Sequence, residues 1–173
     1  AALLRCLRRL YAAGMPDEAL RAIGLTVGSD VPFCVSGGTS LAEGRGERLT
    51  DLPPLPVCQI VLCKPDFGIS TPELFVLADG AVLSKRPDIA GLTAALQGGE
   101  LTGVTDRLCN VFEEFLPERY REVFRIKEIL LAHGALNAAM SGSGPTVYGI
   151  FESAAEAQRA AEVLKKSYQQ TYV

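Results

Sequence analysis

With 173 residues, of which 48% are hydrophobic, the chain is long enough to bury a substantial core in one or two globular units. Its formal net charge is -3 at pH 7 and its basic residues are scattered, which excludes a basic nucleic-acid-binding surface. We also expect no membrane partner, because no apolar run reaches the ~18–20 residues of a transmembrane helix and the first residues lack the pattern of a signal peptide.

Two helices are predicted at the start of the chain, the first running to about Ala13 and a short second one following Pro16 and Asp17 up to Ile23. Residues 37–51 are predicted to form two short strands joined through Gly44-Arg45-Gly46, which is a hairpin and not a nucleotide loop. The proline-rich segment 52–56 ends this region, because proline continues neither a central strand nor a helix. The sequence therefore predicts a domain boundary there, between domains 1–55 and 56–173.

Strands and helices alternate beyond this boundary. The predicted strands cover residues 57–64, 136–140, 146–151 and 171–173. The predicted helices begin at Thr71, where Thr71 is the expected N-cap, and then cover residues 89–97, 101–108, 117–133 and a last segment opened by a capping box at Ser153 and Glu156. This order predicts an α+β fold with helices on one face of an antiparallel sheet.

Cysteine and histidine usage gives no sign of a metal site. Five cysteines are widely spaced along mostly apolar segments: Cys6, Cys34, Cys58, Cys63 and Cys109. Their odd number and spacing predict reduced, buried thiols in a cytoplasmic protein. The one histidine, His133, stands at a predicted helix end, where it is expected to contact terminal carbonyls and not a metal.

The segment Gly28-Ser29-Asp30-Val31-Pro32-Phe33 holds a lone carboxylate between a flexible glycine and a rigid proline. In these apolar surroundings we expect Asp30 to be fixed in place and partly desolvated, as proton handling or phosphate chemistry requires. Asp30 is therefore the leading catalytic candidate. The alternative is that Asp30 only caps a helix.

The segment Met140-Ser141-Gly142-Ser143-Gly144-Pro145-Thr146 joins two of the predicted strands. Its glycines let a backbone approach a ligand closely, and its amides and hydroxyls are suitable donors for an anion. We therefore predict a phosphate-site loop at Ser141, Gly142, Ser143 and Gly144. The alternative is ordinary turn chemistry.

Together with Lys64-Pro65, Ser70-Thr71-Pro72 and Asn110-Val111-Phe112-Glu113, these motifs occur in an order that resembles the GHMP kinase superfamily. The likeness covers nearly all of the 173 residues. It implies that residues 1–55 are part of the superfamily's N-terminal domain, and that residues 56–173 form its C-terminal domain, a ferredoxin-like α/β sandwich.

Within that superfamily, the motifs are similar to those of the small-molecule kinases that phosphorylate the 2-hydroxyl of a diphosphocytidyl methylerythritol in isoprenoid precursor biosynthesis. The resemblance implies ATP and Mg2+, bound as MgATP, as cofactors, and Asp30 as the catalytic aspartate. It further implies that four residues line the cytidine side of the substrate pocket: Ser70, Thr71, Pro72 and Phe75. Helix capping and core packing are the alternative roles of Thr71 and Phe75.

The sequence departs from the superfamily in one respect. It contains neither the N-terminal catalytic lysine nor the Gly-Leu-Gly-Gly-Gly-Ser-Ser-Asp-like loop that holds the ATP phosphates at a helix N-terminus. We therefore expect the 173-residue chain alone neither to bind ATP tightly nor to turn over. Other open interpretations are a GHMP kinase of the homoserine or mevalonate type and a non-catalytic binding module. The oligomeric state is not predicted.

Overall fold

The computed structural model describes residues 1–80, 82–84 and 86–173. The chain divides into two compact units, Ala1–Leu55 and Pro56–Val173. The division falls within the proline-rich segment 52–56.

The first unit contains three helices followed by a hairpin. Its elements are α1 (Ala2–Tyr11), α2 (Asp17–Val27), α3 (Val31–Ser36), β1 (Thr39–Glu43) and β2 (Arg48–Leu52). The predicted hairpin is confirmed, because β1 and β2 pair antiparallel. Helix α3 was expected only in the alternative in which Asp30 caps a helix, and α2 extends four residues beyond the expected end. The apolar side of α1 is open to solvent, since Leu3, Leu10 and Tyr11 are 70%, 71% and 82% exposed.

The second unit contains one sheet and most of the helices. Its strands are β3 (Gln59–Lys64), β4 (Asn137–Met140), β5 (Val147–Phe151) and β6 (Gln170–Tyr172). Its α-helices are α4 (Thr71–Asp79), α5 (Ile89–Gly98), α6 (Leu101–Thr105), α7 (Glu122–Ala132) and α8 (Ala154–Lys165). Two 3-10 helices, Val111–Phe115 and Glu118–Tyr120, precede α7, so the single long helix predicted for residues 117–133 was wrong.

The sheet has the strand order β4-β5-β3-β6, and every neighbouring pair is antiparallel. Helices α7 and α8 pack on one face, as predicted. The core between these layers includes Val61 and Cys63 from β3 and Phe151 from β5. On β3, however, Ile60 and Leu62 point to the other face and are 40% and 42% exposed. The expectation of a wholly buried strand was therefore wrong, because only alternate residues of β3 contact the core.

Helix α8 follows the local chemistry of its sequence. Ser153 is its N-cap and accepts a hydrogen bond from the amide of Glu156. Its core-facing residues are fully buried: Ala157, Ala160, Ala161 and Leu164. Just beyond the helix, the Tyr168 hydroxyl donates to the Glu122 carboxylate of α7. Burial, followed by this hydrogen bond and the carboxylate charge, raises the pKa of Tyr168 to about 12.

The prediction of buried thiols was largely wrong. All five cysteines are free, but Cys63 alone is buried, Cys58 is partly buried, and the others are exposed. Apolar neighbours in the sequence were a poor guide, because short helices such as α1 and α3 expose one side. His133 ends α7 as expected, with its Nδ1 2.7 Å from the carbonyl oxygen of Ile129. Over the residues that the structure describes, no helix is both long and apolar enough to cross a bilayer.

Candidate functional site

The N-terminus of α4 carries the four residues predicted to bind substrate. Ser70 has an extended backbone and is the N-cap, and its Oγ accepts from the amide of Glu73 at 3.4 Å. The expectation that Thr71 is the cap was wrong by one residue, because Thr71 is already helical. Pro72 lies in the first turn, where its missing N–H costs no hydrogen bond. The buried side chain of Leu74 anchors this turn, so Thr71 is held at the surface.

The loop between β4 and β5 forms a tight turn. The amide of Gly144 donates to the carbonyl of Ser141 at 2.9 Å, and the amide of Ser141 donates to the carbonyl of Thr146 at 2.8 Å. Both glycines of the turn have positive φ, 56° at Gly142 and 75° at Gly144. In the described chain no protein acceptor faces the amides of Gly142 and Ser143. The turn therefore leaves two N–H donors free for an anion.

The structure brings the turn and α4 together. The Oγ1 of Thr71 lies 2.6 Å from the Oγ of Ser143, although the two residues are 72 positions apart in the sequence. Either hydroxyl can donate in this hydrogen bond. The predicted substrate-binding segment and the predicted phosphate-site loop therefore form one continuous surface.

Phe75 lies one turn further along α4 and is 54% exposed. Its ring meets Phe112 edge to face, with the ring centroids 5.2 Å apart. Phe112 itself packs against the hydrophobic core, so it supports Phe75 from one side. The expectation of core packing for Phe75 is therefore wrong. This arrangement leaves much of an aromatic side chain open to a planar ligand.

Three further side chains support this surface, and no local sequence pattern points to them. Arg119 pairs with Glu73 of α4, and its guanidinium lies 4.8 Å from the ring centroid of Tyr120. Tyr120 in turn stacks on Phe67, with the centroids 5.5 Å apart. The 3-10 helix Glu118–Tyr120 therefore braces the segment that leads into α4.

The Asn110-Val111-Phe112-Glu113 motif contacts the start of the same turn. The Nδ2 of Asn110 donates to the carbonyl oxygens of Met140 and Gly142, at 2.7 and 2.8 Å. The Oε1 of Glu113 accepts from the amide of Met140 at 2.7 Å, and Lys127 of α7 pairs with the same carboxylate. Burial raises the pKa of the nearby Tyr148 hydroxyl, and the negative charge of Glu113 raises it further.

Asp30 belongs to the first unit and immediately precedes α3. It occupies the N-cap position, but its side chain makes no capping hydrogen bond. The carboxylate is exposed and not partly desolvated as expected, because Val27 and Phe33 turn outward as well, being 73% and 36% exposed. Simple capping does not account for this residue either.

The backbone before Asp30 is nevertheless closely packed. Gly46, in the hairpin turn, has φ +104°, and a β-carbon there would lie 2.3 Å from the carbonyl oxygen of Ser29. The hairpin turn therefore lies directly against the Ser29–Asp30 segment and fixes its path. No local sequence signal links Gly46 to Asp30. The clue in the sequence is the glycine itself, because glycine is typical both of tight turns and of places where two backbone segments approach closely.

Comparisons with known proteins agree with this architecture. Residues 92–170 match the family model described as GHMP kinases C terminal. A 4-diphosphocytidyl-2-C-methyl-D-erythritol kinase of Clostridium acetobutylicum is 37% identical over 173 residues, which are 100% of this chain and 62% of that protein. The chain thus spans about three-fifths of the length of the curated relatives it matches.

Two solved structures extend the comparison. A crystal structure of 4-(cytidine 5'-diphospho)-2C-methyl-D-erythritol kinase superposes with a TM-score of 0.79 at 29% identity, covering 99% of this chain and 60% of that one. Homoserine kinase from Cytophaga hutchinsonii superposes with a TM-score of 0.73 at 18% identity, covering 96% of this chain and 60% of that one, which shows a shared fold. The predicted α+β class and the predicted resemblance are confirmed. Residues 92–170 of this chain are thus similar to the family described as GHMP kinases C terminal.

Proposed function

We propose that this chain is part of an ATP-dependent kinase that phosphorylates the 2-hydroxyl of 4-diphosphocytidyl-2-C-methyl-D-erythritol, a step of isoprenoid precursor biosynthesis. The observation that carries the proposal is the 37% identity to a Clostridium acetobutylicum kinase of that name along all of the chain. The contact between Thr71 and Ser143 supports it, because one surface then offers both a ring and free amides to a nucleotide-linked substrate.

The substrate's cytosine would lie against the exposed ring of Phe75, beside Thr71 and Pro72. An exposed aromatic ring held on an aromatic neighbour is well suited to stacking on a base. The free amides of Gly142 and Ser143 would face a phosphate group, since backbone N–H donors in a tight turn form an anion site. Ser70 contributes by capping the helix that carries these side chains.

Asp30 would orient the acceptor hydroxyl toward the phosphoryl group and stabilise the charge that develops there. Phosphoryl transfer passes through a loose transition state, so positioning supplies most of the acceleration. Asp30 is exposed, and its side chain is not used by the helix it precedes, so a substrate hydroxyl can reach it. This role does not require Asp30 to remove the proton of the acceptor hydroxyl.

ATP supplies the phosphoryl group when it is bound. Among the described residues no group of three or more His, Cys, Asp or Glu side chains is placed to hold a metal ion. Mg2+ would accompany ATP, and because such a metal binds mainly to phosphates and water with one or two protein carboxylates, we assign it no residue of this chain and no step. We further propose a cytoplasmic enzyme with a small-molecule partner, since the five free cysteines suit a reducing compartment.

The test uses a chimaera in which residues 1–173 replace the aligned region of the Clostridium acetobutylicum relative. ADP formation is measured with three acceptors: 4-diphosphocytidyl-2-C-methyl-D-erythritol, homoserine and mevalonate. We expect turnover with the first acceptor alone. Preferential turnover of homoserine or mevalonate would show another GHMP kinase instead. A chimaera that melts cooperatively but turns over no acceptor would favour a non-catalytic module.

A binding measurement on the 173-residue chain tests the proposal separately. Cytidine diphosphate is titrated into the chain and amide resonances are followed by NMR. We expect the shifts to concentrate at Thr71, Phe75 and Gly142, and to disappear in Phe75→Ala. Because this chain contains no Gly-rich ATP loop, we expect ATP alone to give weak shifts and no turnover. Shifts scattered over other residues would contradict the assignment of the surface.

A further inference from the structure

Asn110 makes an unusual pair of contacts for a residue outside the predicted site. Its side-chain amide donates to two carbonyl oxygens that flank Ser141, those of Met140 and Gly142. Its Oδ1 meanwhile accepts from the amide of Phe112 and caps the 3-10 helix Val111–Phe115. The side chain of Asn110 thus joins the N-terminus of this helix to the backbone of the Ser141–Gly144 turn.

Glu113 lies one turn later on the same 3-10 helix and contacts the same stretch of backbone. Its Oε1 accepts from the amide of Met140 at 2.7 Å, so the peptide groups around Met140 are bonded from both sides. Its side chain is only 15% exposed, and that of its partner Lys127 is 21% exposed. A partly buried, hydrogen-bonded ion pair is a rigid anchor, because freeing either charge inside the protein is costly.

This anchor is tied to the core of the second unit. Lys127 lies on α7 between the fully buried residues Ile126 and Leu130, and α7 packs on β4 and β5. The turn is therefore linked through Glu113 to a helix that cannot shift without disturbing the core. On its outer side the turn meets Thr71 through Ser143.

The hydrogen bonds also determine which groups of the turn stay available. The side-chain amide of Asn110 donates to the carbonyl oxygens of Met140 and Gly142, and carbonyl oxygens repel anions. The amides of Gly142 and Ser143 have no protein acceptor among the described residues. A turn whose carbonyls are held and whose amides are free is preorganised for an anion. Preorganised donors lose little entropy when the ligand binds.

We propose that Asn110 and Glu113 are positioning residues that hold the Ser141–Gly144 turn in its anion-accepting conformation. Their role in catalysis rests on the proposed function, whereas their effect on the turn does not. They act through the backbone of Met140 and Gly142 and touch no reacting atom.

The deciding experiment is amide hydrogen exchange on the 173-residue chain. Asn110→Asp keeps the Oδ1 that caps the 3-10 helix but replaces the donor by an acceptor facing two carbonyls. The matched control is Asn137→Asp, because Asn137 also donates from its side-chain amide to a carbonyl, that of Thr105, at 2.7 Å. The control makes the same chemical change outside the turn.

We expect Asn110→Asp to speed exchange at Ser141 and Gly144 by at least about tenfold more than Asn137→Asp does, because the turn opens locally. Exchange at Val61, which is fully buried in β3, reports global unfolding in both variants. Equal acceleration of the turn in the two variants, or none in Asn110→Asp, would overturn the proposal.

A second pair of variants decides the question if Asn110→Asp does not fold. Glu113→Gln retains an oxygen that can accept from the amide of Met140, whereas Glu113→Leu does not. Both variants lose the ion pair with Lys127, so the difference between them isolates the hydrogen bond to Met140, and we expect the Leu variant to speed exchange at Met140 at least about tenfold more than the Gln variant does. Identical exchange in the two variants would show that Glu113 does not hold this backbone.

The kinetic arm uses the chimaera described above. We expect Asn110→Asp to lower kcat/KM by about 10- to 100-fold, since small misplacements of a site are costly, and Asn137→Asp to change it by less than about threefold. A normal kcat/KM in Asn110→Asp, despite faster exchange in the turn, would remove the catalytic part of the proposal. An inactive parent chimaera would count against the proposed function and leave the exchange result to decide the effect on the turn.

Discussion

The two glycines of the Ser141–Gly144 turn are expected to respond very differently to a single added methyl group. A β-carbon at Gly144 would lie 2.4 Å from the Sδ of Met140 and 3.2 Å from Ile69 Cδ1. At Gly142 it would meet no atom within 4 Å. Both residues have positive φ, so Gly142→Ala is a matched control that carries the backbone strain without the steric clash.

The magnitudes follow from these two contributions. Placing alanine at a positive φ costs about 1–2 kcal/mol, which is all that Gly142→Ala should lose. Gly144→Ala should lose about 1–3 kcal/mol more, because Met140 is only 2% exposed and its side chain must shift within a packed core. We therefore expect Gly144→Ala to be the more destabilising change, by about 2–5 kcal/mol in total.

Urea unfolding followed by tyrosine fluorescence measures the difference. The chain has no tryptophan, and four of its five tyrosines lie in Pro56–Val173, so the signal reports mainly the second unit. Midpoints are compared at a constant m-value. Equal destabilisation by the two substitutions, or a larger loss in Gly142→Ala, would refute the close approach of Gly144 to Met140.

Three further outcomes are expected. Tyr168 has its pKa raised to about 12, so its stabilising effect should persist below about pH 10 and be lost toward pH 12, and Tyr168→Phe should flatten this alkaline loss in thermal melts. A double-mutant cycle of Ser143→Ala and Thr71→Val should give a coupling of about 0.5–1.5 kcal/mol in urea unfolding, and additive losses would argue against their hydrogen bond. Gly46→Ala should shift the NMR amide resonance of Ser29 strongly, and an unchanged resonance would refute the packing of the hairpin turn against it.

The elements that were predicted correctly are those determined by neighbouring residues. The hairpin follows from glycines at its turn, and α8 follows from a serine cap and small residues at helical spacing. Helix α3 was left as an alternative because six residues beginning at Val31-Pro32 are too short to show a period. Exposure was misjudged where one side of an element is partly open to solvent, as at Leu62 on β3.

The candidate site was only partly accessible from the sequence. Thr71 and the Gly142 turn could each be identified from local chemistry, but not the hydrogen bond between Thr71 and Ser143. Asn110 was noticed as part of a motif, but the sequence alone assigned it no role. The carbonyl oxygen of Gly142 to which it donates lies 32 residues away. Contacts over such distances depend on the sheet register, which a single sequence does not determine.

The role of Asp30 in phosphoryl transfer is the central claim, and Asp30→Asn in the chimaera tests it most directly. Asp51→Asn is the matched control, because Asp51 is also exposed in the first unit and Asn retains the oxygen that accepts from Ser40. We predict that Asp30→Asn lowers kcat by about 10²- to 10⁴-fold with melting temperature and KM unchanged, while Asp51→Asn keeps kcat within about threefold. A kcat for Asp30→Asn as high as that of the control would contradict the account.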